Sequence, residues 1–289
     1  MLDTILDSPL SSWLQLDTDA TDHIVISSRI RLARNFDGIL FTNRNDMSSL
    51  EKVNTISRGL LQPLKEADGH QSSNINLEQL SERERAILVE KHLMSPALEE
   101  KLPYRNLVVS DDASIVIMVN EEDHLRIQSM VSGLRLEVAY ERILKIDKAI
   151  EGKYPYAFDE RFGYLTACPT NVGTGLRASV MLHLPALTIS GKITRLIRSI
   201  IQLGYSVRGL YGEGSEALGN IYQISNQRTM GTSEEDTIEQ LTKIVEGIIA
   251  EERKSRQLLL HNDKEGLEDV LWRCLLYTSP SPRDISGSR

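Results

Sequence analysis

The segment at residues 24–33 (IVISSRIRLA) is an apolar, strand-like stretch that contains two arginines two positions apart. Side chains alternate between the two faces of a strand, so Arg29 and Arg31 are expected to project together. Three further arginines lie in or at the ends of apolar strand-like segments: Arg126, Arg177 and Arg208. Arginine keeps its charge and is rarely buried without a partner. A fold that places all five in strands therefore needs an anion beside them.

The overall charge of the chain argues against two kinds of anionic partner. The sequence has 33 Lys and Arg against 41 Asp and Glu, which gives a formal net charge of −8. This balance argues against general binding to nucleic acid or to an anionic membrane, because both require a positive surface. For a single arginine, a surface ion pair with one of the acids is the simpler interpretation. For all five, a clamp around a polyphosphate is the better interpretation, since one guanidinium group can donate two parallel hydrogen bonds to phosphate oxygens.

Other features exclude several classes of protein. No run approaches the ~20 apolar residues of a membrane span. The N-terminal segment carries Asp3 and Asp7 without a basic region, which is not typical of a secretory signal. Cys168 and Cys274 are too few for a disulfide framework, and no His or Cys cluster has zinc spacing, so no metal site is predicted. We expect a soluble, cytoplasmic protein.

Apolar periodicity predicts an α+β fold in which a mostly antiparallel sheet is flanked by helices. The predicted helices span 47–67, starting with a capping box from Ser48 to Glu51, then 134–152, 190–204, and a long stretch entered through Thr232 or Ser233. A loop is predicted from residue 68 into a further helix, and a β-hairpin turns at Asp111 and Asp112. The predicted division is an N-terminal extension (1–23), a main domain (24–254), the start of a helical C-terminal domain (255–273) and a non-native tail (274–289).

Two acids and one thiol are candidates for chemistry. Glu122 follows the apolar strand SIVIMV, and Glu213 lies between two glycines shortly after Arg208. Either acid equally suits a solvated turn, so neither is specific alone. Cys168 ends a strand-like segment nine residues before Arg177. A lone cysteine is most often a small apolar side chain, but neighbouring guanidinium groups would favour its thiolate.

Four segments together resemble the catalytic domain of the phosphagen (guanidino) kinases, in order and in spacing. They are VISSRIRLARN, VNEEDHLR, CPTNVGTGLRASV and VRGLYGEGSEALGNIYQISN. The local variants look closest to the bacterial protein-arginine kinases within this superfamily. The resemblance covers roughly residues 10–272.

The resemblance implies a site for ATP with Mg²⁺ and a site for a guanidinium group. By this resemblance, Glu122 is the carboxylate that holds and deprotonates the guanidinium group. Glu213 is a second carboxylate, and Cys168 is a reactive thiol beside the guanidinium group. The resemblance assigns the following residues to ATP binding: Ser27, Ser28, Arg29, Ile30, Arg31, His92, Arg126, Arg177, Ala178, Ser179, Val180, Met181, Arg208, Gly209, Leu210, Tyr211, Gly212 and Glu213.

The implied reaction is transfer of the γ-phosphoryl group of ATP to arginine residues in proteins. The implied partners are arginine-bearing proteins, an activator protein, and a Clp protease and heat-shock repressor system. No binding to a membrane and no direct binding to nucleic acid are expected. The family's homodimer is expected to be impaired here, because only the first helices of the C-terminal domain are present. The apolar side chains at 258–260 and 270–272 are then expected to be exposed.

Two alternatives remain open at this stage: a kinase of small guanidino compounds, and an inactive regulator that recognises arginine. Small-guanidino kinases carry a separate N-terminal domain that closes over the substrate. Only 26 residues precede Ser27 here, and stretches below ~40 residues rarely form an independent core. An open guanidinium pocket is expected, which favours a polypeptide over free arginine.

Overall fold

An eight-stranded antiparallel sheet organises the chain. The computed structural model describes residues 2–7, 12–14, 23–209, 218–262 and 264–278. Within these residues the strands are β1 (Val25–Arg34), β2 (Ser72–Asn76), β3 (Asn106–Ser110), β4 (Ile115–Val119), β5 (Leu125–Ser132), β6 (Phe158–Asp159), β7 (Gly163–Tyr164), β8 (Leu176–His183), β9 (Tyr205–Gly209) and β10 (Ile221–Asn226). The sheet has the order β2-β3-β4-β5-β1-β8-β10-β9, and β6 pairs with β7 separately. The predicted α+β class and antiparallel sheet are confirmed.

The helices cover mainly one face of this sheet. They are α1 (Leu2–Asp7), α2 (Met47–Arg58), α3 (Leu61–Asp68), α4 (Glu82–Glu90), α5 (Leu136–Glu151), α6 (Pro185–Ile189), α7 (Ile193–Gln202), α8 (Glu234–Asn262) and α9 (Lys264–Thr278). The larger hydrophobic core joins α5 and α8 to the central strands, where Ile30 and Leu32 of β1 are completely buried.

The opposite face of the sheet is divided in two. A second apolar cluster, which includes Leu88 of α4 and Leu107 of β3, covers the part of this face nearest β2. Alternation along β1 sends Arg29 and Arg31 to the same face, beyond that cluster. The uncovered part of the face is therefore polar, and it is here that the candidate site lies.

Several predicted elements are confirmed. The hairpin at Asp111 and Asp112 is formed by β3 and β4, and the predicted helix over 134–152 is α5. The long helix α8 is entered through Ser233, whose hydroxyl accepts a hydrogen bond from the Asp236 N–H at 3.1 Å. Three acids fill its first turn, where they complement the helix dipole.

Two local predictions are wrong. The helix over 47–67 is divided into α2 and α3, and its N-cap is Asp46, whose carboxylate accepts from the Ser49 N–H at 2.8 Å. The break falls at Gly59, where a Cβ would come within 2.8 Å of the Tyr154 hydroxyl oxygen. The predicted loop after residue 68 contains the strand β2, whose side chains other than that of Ile75 are only half-buried. Such an edge strand lacks the apolar alternation that identifies strands in a sequence.

Helical structure in the C-terminal part of the chain extends beyond the predicted boundary. Helix α9 runs to Thr278, five residues into the segment interpreted as a tail. As predicted, apolar side chains of this part are exposed, with Leu260 and Trp272 at 54% and 65%. Within the described ranges, no helix combines the length and apolar character needed to cross a membrane.

Candidate active site

The sheet register brings the five predicted arginines to one face. Across β1 and β8, Arg31 is the direct partner of Arg177, and Arg29 is the partner of Ser179. On the other side of β1, Ala33 pairs with Arg126 of β5. Arg208 of β9 reaches the same face as the partner of Gln223, which in turn pairs with Met181 of β8.

Strand alternation divides the predicted ATP-binding set. Ile30, Ala178 and Val180 are completely buried in the core on the helical side of the sheet. Ser28 also points to that side, where its hydroxyl donates to the Gly133 carbonyl at 2.7 Å. The side chains of these four residues therefore cannot reach a ligand on the arginine face, and only their main chain lies near it. Ser27, Ser179 and Met181 lie on the arginine face.

A cavity of about 190 Å³, here called the arginine cavity, opens on this face. Its lining includes Arg29, Arg31, His92, Arg126, Arg208 and Gln223. Arg29 is oriented by two side chains: its Nη2 donates to Gln223 Oε1 at 3.0 Å, and its Nε donates to Ser179 Oγ at 3.3 Å. Gln128 also lines the cavity and donates to the His92 carbonyl at 2.9 Å.

Gln128 and Gln223 were not identified from the sequence. A signal for Gln128 was present, since it lies two residues after Arg126 in a strand and so shares its face. Gln223 had no such neighbour on its own strand. Its position on the arginine face follows from the register with β9, which a single sequence does not give.

The arginine cavity concentrates positive charge. Burial, followed by the charges of Arg126, Arg177 and Arg208, lowers the pKa of Arg29 to about 10. Burial and the charges of Arg29, Arg126 and Arg177 lower the pKa of Arg31 well below its ordinary value. These groups remain charged near neutral pH, so the lowered pKa values mean that burial, and after it repulsion between the arginines, disfavours their charged forms. A bound polyanion would relieve this repulsion.

His92 forms a neutral wall of the same cavity. Burial, followed by the charge of Arg29, lowers the pKa of His92 to about 4, so the imidazole is uncharged near pH 7. The ring makes an edge contact with Trp13, with 5.7 Å between centroids. A neutral, partly apolar wall beside a cationic floor suits a nucleotide, which combines a flat base with a charged triphosphate.

A second cavity of about 210 Å³, here called the carboxylate cavity, lies beside the first. Its lining includes Glu122, Cys168 and Arg177. Arg31 and Arg126 line both cavities. The Glu122 carboxylate is exposed, and within the described part of the chain it makes no hydrogen bond or ion pair. Cys168 is half-buried, and its Sγ lies 3.0 Å from Thr170 Oγ1.

Asp123 joins the segment that carries Glu122 to the segment that carries Cys168. Its Oδ1 accepts from the Ala167 N–H at 2.6 Å and from Asn35 Nδ2 at 2.7 Å. Burial raises the pKa of this carboxyl group, and the hydrogen bonds from Ala167 and Asn35 oppose that rise. Asp123 thus fixes the position of one candidate residue relative to the other, a role that the sequence analysis did not identify.

A second clamp holds the turn that precedes β8. Arg34 is buried and pairs with Asp147 at 2.8 Å, while its Nη1 donates to the Thr174 carbonyl at 2.9 Å. Its guanidinium carbon lies 3.6 Å from the centre of the Tyr164 ring. At Gly175, where φ is +63°, a Cβ would lie 2.6 Å from Arg34 Nη1, so this close approach requires glycine.

Part of the predicted site is not covered by the structure. Leu210, Tyr211, Gly212 and Glu213 lie outside the described residues. The second carboxylate and this part of the predicted ATP site therefore stay predictions. Gly209, the last described residue before them, lines the arginine cavity.

The arginine face does not itself form a metal cage. Among the described residues, the group with the spacing to hold a metal is His70, Asp111 and Asp112, at the β3–β4 turn and outside the lining of both cavities. Mg²⁺ commonly keeps several waters and is bound largely through substrate phosphates. Guanidinium groups donate to phosphate oxygens and cannot ligate a cation, so Mg²⁺ in the arginine cavity would be held through the phosphates of a nucleotide.

Comparisons with known proteins agree with this geometry. The family model "ATP:guanido phosphotransferase, C-terminal catalytic domain" matches residues 52–255. The protein-arginine kinase of Syntrophomonas wolfei is 47% identical over 263 residues, which is 91% of this chain and 73% of that protein. The protein-arginine kinase of Geobacillus stearothermophilus is 47% identical over 267 residues, 92% of this chain and 73% of that protein.

Solved structures give the same result for the fold. The duplicated taurocyamine kinase from Schistosoma mansoni superposes with a TM-score of 0.72 at 28% identity, over 88% of this chain and 36% of that longer chain. A lombricine kinase superposes with a TM-score of 0.68 at 25% identity, over 87% of this chain and 75% of the other. The chain belongs to the ATP:guanido phosphotransferase family, the phosphagen kinase superfamily.

Proposed function

We propose that this protein transfers the γ-phosphoryl group of ATP to arginine residues of proteins. The observation that carries the proposal is that Arg31 and Arg126 line both the arginine cavity and the carboxylate cavity. A triphosphate bound in the first cavity would have its terminal phosphate beside these two guanidinium groups. A substrate guanidinium in the second cavity would then lie next to that phosphate.

The chemistry assigned to each group follows from the properties of a guanidinium. Protonated arginine is a poor nucleophile, because its lone pairs are delocalised and its pKa is above about 12. Glu122 holds the planar group and accepts its proton while the nitrogen attacks the γ-phosphorus. The N–P bond forms, the bond from the γ-phosphorus to the bridging oxygen breaks, and ADP leaves. Cys168 lies beside the reacting nitrogen, and Glu213 supplies a second carboxylate.

Alignment and charge neutralisation provide most of the rate enhancement in such a transfer. Arg29, Arg31 and Arg126 stabilise the negative charge on the phosphoryl oxygens. Mg²⁺ bound through the phosphates of ATP would neutralise more of that charge. The hydrogen bonds that Asp123 accepts from Ala167 and Asn35 hold Glu122 and Cys168 in position relative to each other.

Protein arginine is favoured over a small guanidine by the level of similarity. The relatives named protein-arginine kinases are 47% identical to this chain, whereas the taurocyamine and lombricine kinases are 28% and 25% identical. Retention of Glu122, Cys168 and all five arginines argues against an inactive regulator. On the family resemblance, we also propose a cytoplasmic location, an activator protein, and a link to a Clp protease and heat-shock repressor system.

The test is phosphoryl transfer itself. The protein is incubated with ATP labelled in the γ-phosphate and with an arginine-rich protein, and the product is treated with mild acid or mild base. The proposal predicts label on the protein substrate that is lost in acid, as a phosphoramidate is, and retained in base. Glu122→Gln should label the substrate about 10²–10⁴ times more slowly. Acid-stable label, or equal labelling by the variant, would contradict the proposal.

A further inference from the structure

A third cavity lies on the far side of Glu122 and has a volume of about 490 Å³. One wall is formed by the segment after β1, with Thr42, Asn43 and Met47, and the other by Leu102 and Pro103 before β3. We call it the outer cleft. Glu122 lines both the outer cleft and the carboxylate cavity. A side chain that reaches Glu122 from solvent therefore has the outer cleft beside it.

The walls of the outer cleft are fixed to the strand end that carries Glu122. The Thr42 hydroxyl donates to the main-chain carbonyl of Glu122. Asn120 Nδ2 donates to the Leu50 carbonyl at 2.9 Å on one wall and to the Tyr104 carbonyl at 2.8 Å on the other. Because one amide ties both walls together, the cleft is a built feature rather than a gap between loops.

The second wall is held in a similar way by Arg105. Its Nη1 donates to the Ala97 carbonyl at 2.8 Å, and its Nε donates to the Asn120 carbonyl at 3.1 Å. These bonds connect the segment before β3 to the end of β4. The position of Leu102 and Pro103 relative to Glu122 is therefore set by hydrogen bonds from the Arg105 side chain to main-chain carbonyls.

The chemistry of the cleft is acidic at its base and apolar at its rim. Met47 and Leu102 expose 54% and 38% of their surface there. The charge of Glu121 is offset by Arg126, at 2.6 Å, so Glu122 provides the available negative charge. Asn43, Asn45 and Arg105 also line the cleft and offer hydrogen-bonding groups to the main chain of a peptide. The α-ammonium group of free arginine would meet the apolar side chains and lose hydration. A peptide bond carries no such charge, and an apolar neighbour would gain by burial.

We propose that the outer cleft receives the polypeptide on either side of the target arginine and selects apolar residues next to it. This inference rests on the proposed function, because it needs an arginine substrate at Glu122. It adds a specificity that the catalytic residues do not provide. The volume of about 490 Å³ lies in the range of pockets that hold ligands larger than a single side chain.

The test compares two peptides that differ only beside the arginine. In one peptide the arginine lies between two leucines, and in the other it lies between two glycines. The wild-type protein should show a kcat/KM about tenfold higher for the leucine-flanked peptide, mainly through KM. Leu102→Asp and Met47→Asp should each reduce this ratio to about one. Leu203→Asp, at an equally apolar and 65% exposed position outside the cleft, is the matched control and should keep the ratio.

The outcomes separate this inference from the proposed function. Transfer by the wild-type protein with no preference between the peptides, or a preference that survives in both cleft variants, would overturn the assignment of the cleft. Absence of transfer to either peptide and to an arginine-rich protein would instead refute the proposed function. The thermal midpoint of each variant shows whether it is folded, and two independent positions keep the test valid if one variant does not fold.

Discussion

Arg31 and Arg177 are direct partners across the β1–β8 pair, so two like charges face each other in the centre of the sheet. Directly opposed like charges destabilise a sheet, by up to about 1 kcal/mol per pair. The Arg31 side chain is half-buried, and its Nε is buried without a hydrogen-bond partner among the described residues. The sheet therefore carries an electrostatic cost that a bound polyphosphate would remove.

Replacement of Arg31 should separate stability from nucleotide binding. We expect Arg31→Gln to raise the free energy of unfolding without nucleotide by about 1 kcal/mol, because a half-buried charge beside other arginines is removed. ATP at 100 times its Kd should stabilise the wild-type protein by about 2.7 kcal/mol and the variant by much less. Denaturant unfolding with and without ATP measures both quantities. Arg198→Gln, at an exposed position on α7, is the control. A less stable variant that keeps its affinity for ATP would contradict this prediction.

Glu122 is predicted to act in the chemical step and not in nucleotide binding. Glu122→Gln should reduce kcat by about 10²–10⁴, the usual contribution of a general base. The Kd of ATP and the thermal midpoint should stay close to those of the wild-type protein, because this carboxylate is exposed. Glu141→Gln, at an exposed position on α5, serves as the matched variant. Retention of more than a tenth of the wild-type kcat would refute the role of Glu122.

Asp123 is predicted to position the site through hydrogen bonds to Ala167 and Asn35. Asp123→Ala leaves two donors without their acceptor, which should cost about 1–3 kcal/mol of stability and lower kcat. Asp123→Asn retains an acceptor oxygen and should recover most of both losses. Steady-state kinetics and denaturant unfolding of the two variants test this. If Asp123→Asn were as impaired in kcat as Asp123→Ala while equally folded, the negative charge rather than the hydrogen bonds would be essential.

Two histidines predict how stability depends on pH. The pKa of His92 falls from 6.5 to about 4 on folding, so the unfolded state binds the proton more readily. Stability should therefore be full above about pH 6.5 and should decrease as the pH falls toward 4. Burial also lowers the pKa of His124, whose Nδ1 accepts from the Phe36 N–H at 3.0 Å.

The pH prediction is checked with a variant. His92→Gln removes one of the groups whose pKa folding lowers, so the free energy of unfolding should decrease less steeply between pH 6.5 and pH 4. Denaturant titrations across this range give the slope for each protein. An equal slope for the wild-type protein and the variant would mean that His92 does not titrate differently in the folded and unfolded states.

The sequence predicts one part of the arginine face from a local signal, whereas Arg126, Arg177 and Arg208 reach it through the sheet register. Arg29 and Arg31 share a face by alternation alone, and the hairpin at Asp111 and Asp112 joins neighbouring segments. The role of Asp123 was not predictable, because it depends on the main-chain N–H of Ala167, 44 residues away. The strand β2 was missed for a different reason, since an edge strand with polar side chains lacks the apolar pattern of a core strand.

The outer cleft could not be predicted from the sequence either. Its walls come from residues that surround Thr42 and Leu102, and neither segment has a recognisable motif. Hydrogen bonds from Asn120 and Arg105 bring them to Glu122. The same tertiary contacts explain why exposed Met47 was not recognised as part of a site.

We propose that the guanidinium acceptor is an arginine within a polypeptide. It is tested most directly by measuring kcat/KM for free arginine and for the same residue within a basic protein, with ATP at saturation and at fixed ionic strength. We expect ready transfer to the protein and little turnover of free arginine. A higher kcat/KM for free arginine would contradict it and would assign the chain to the kinases of small guanidino compounds.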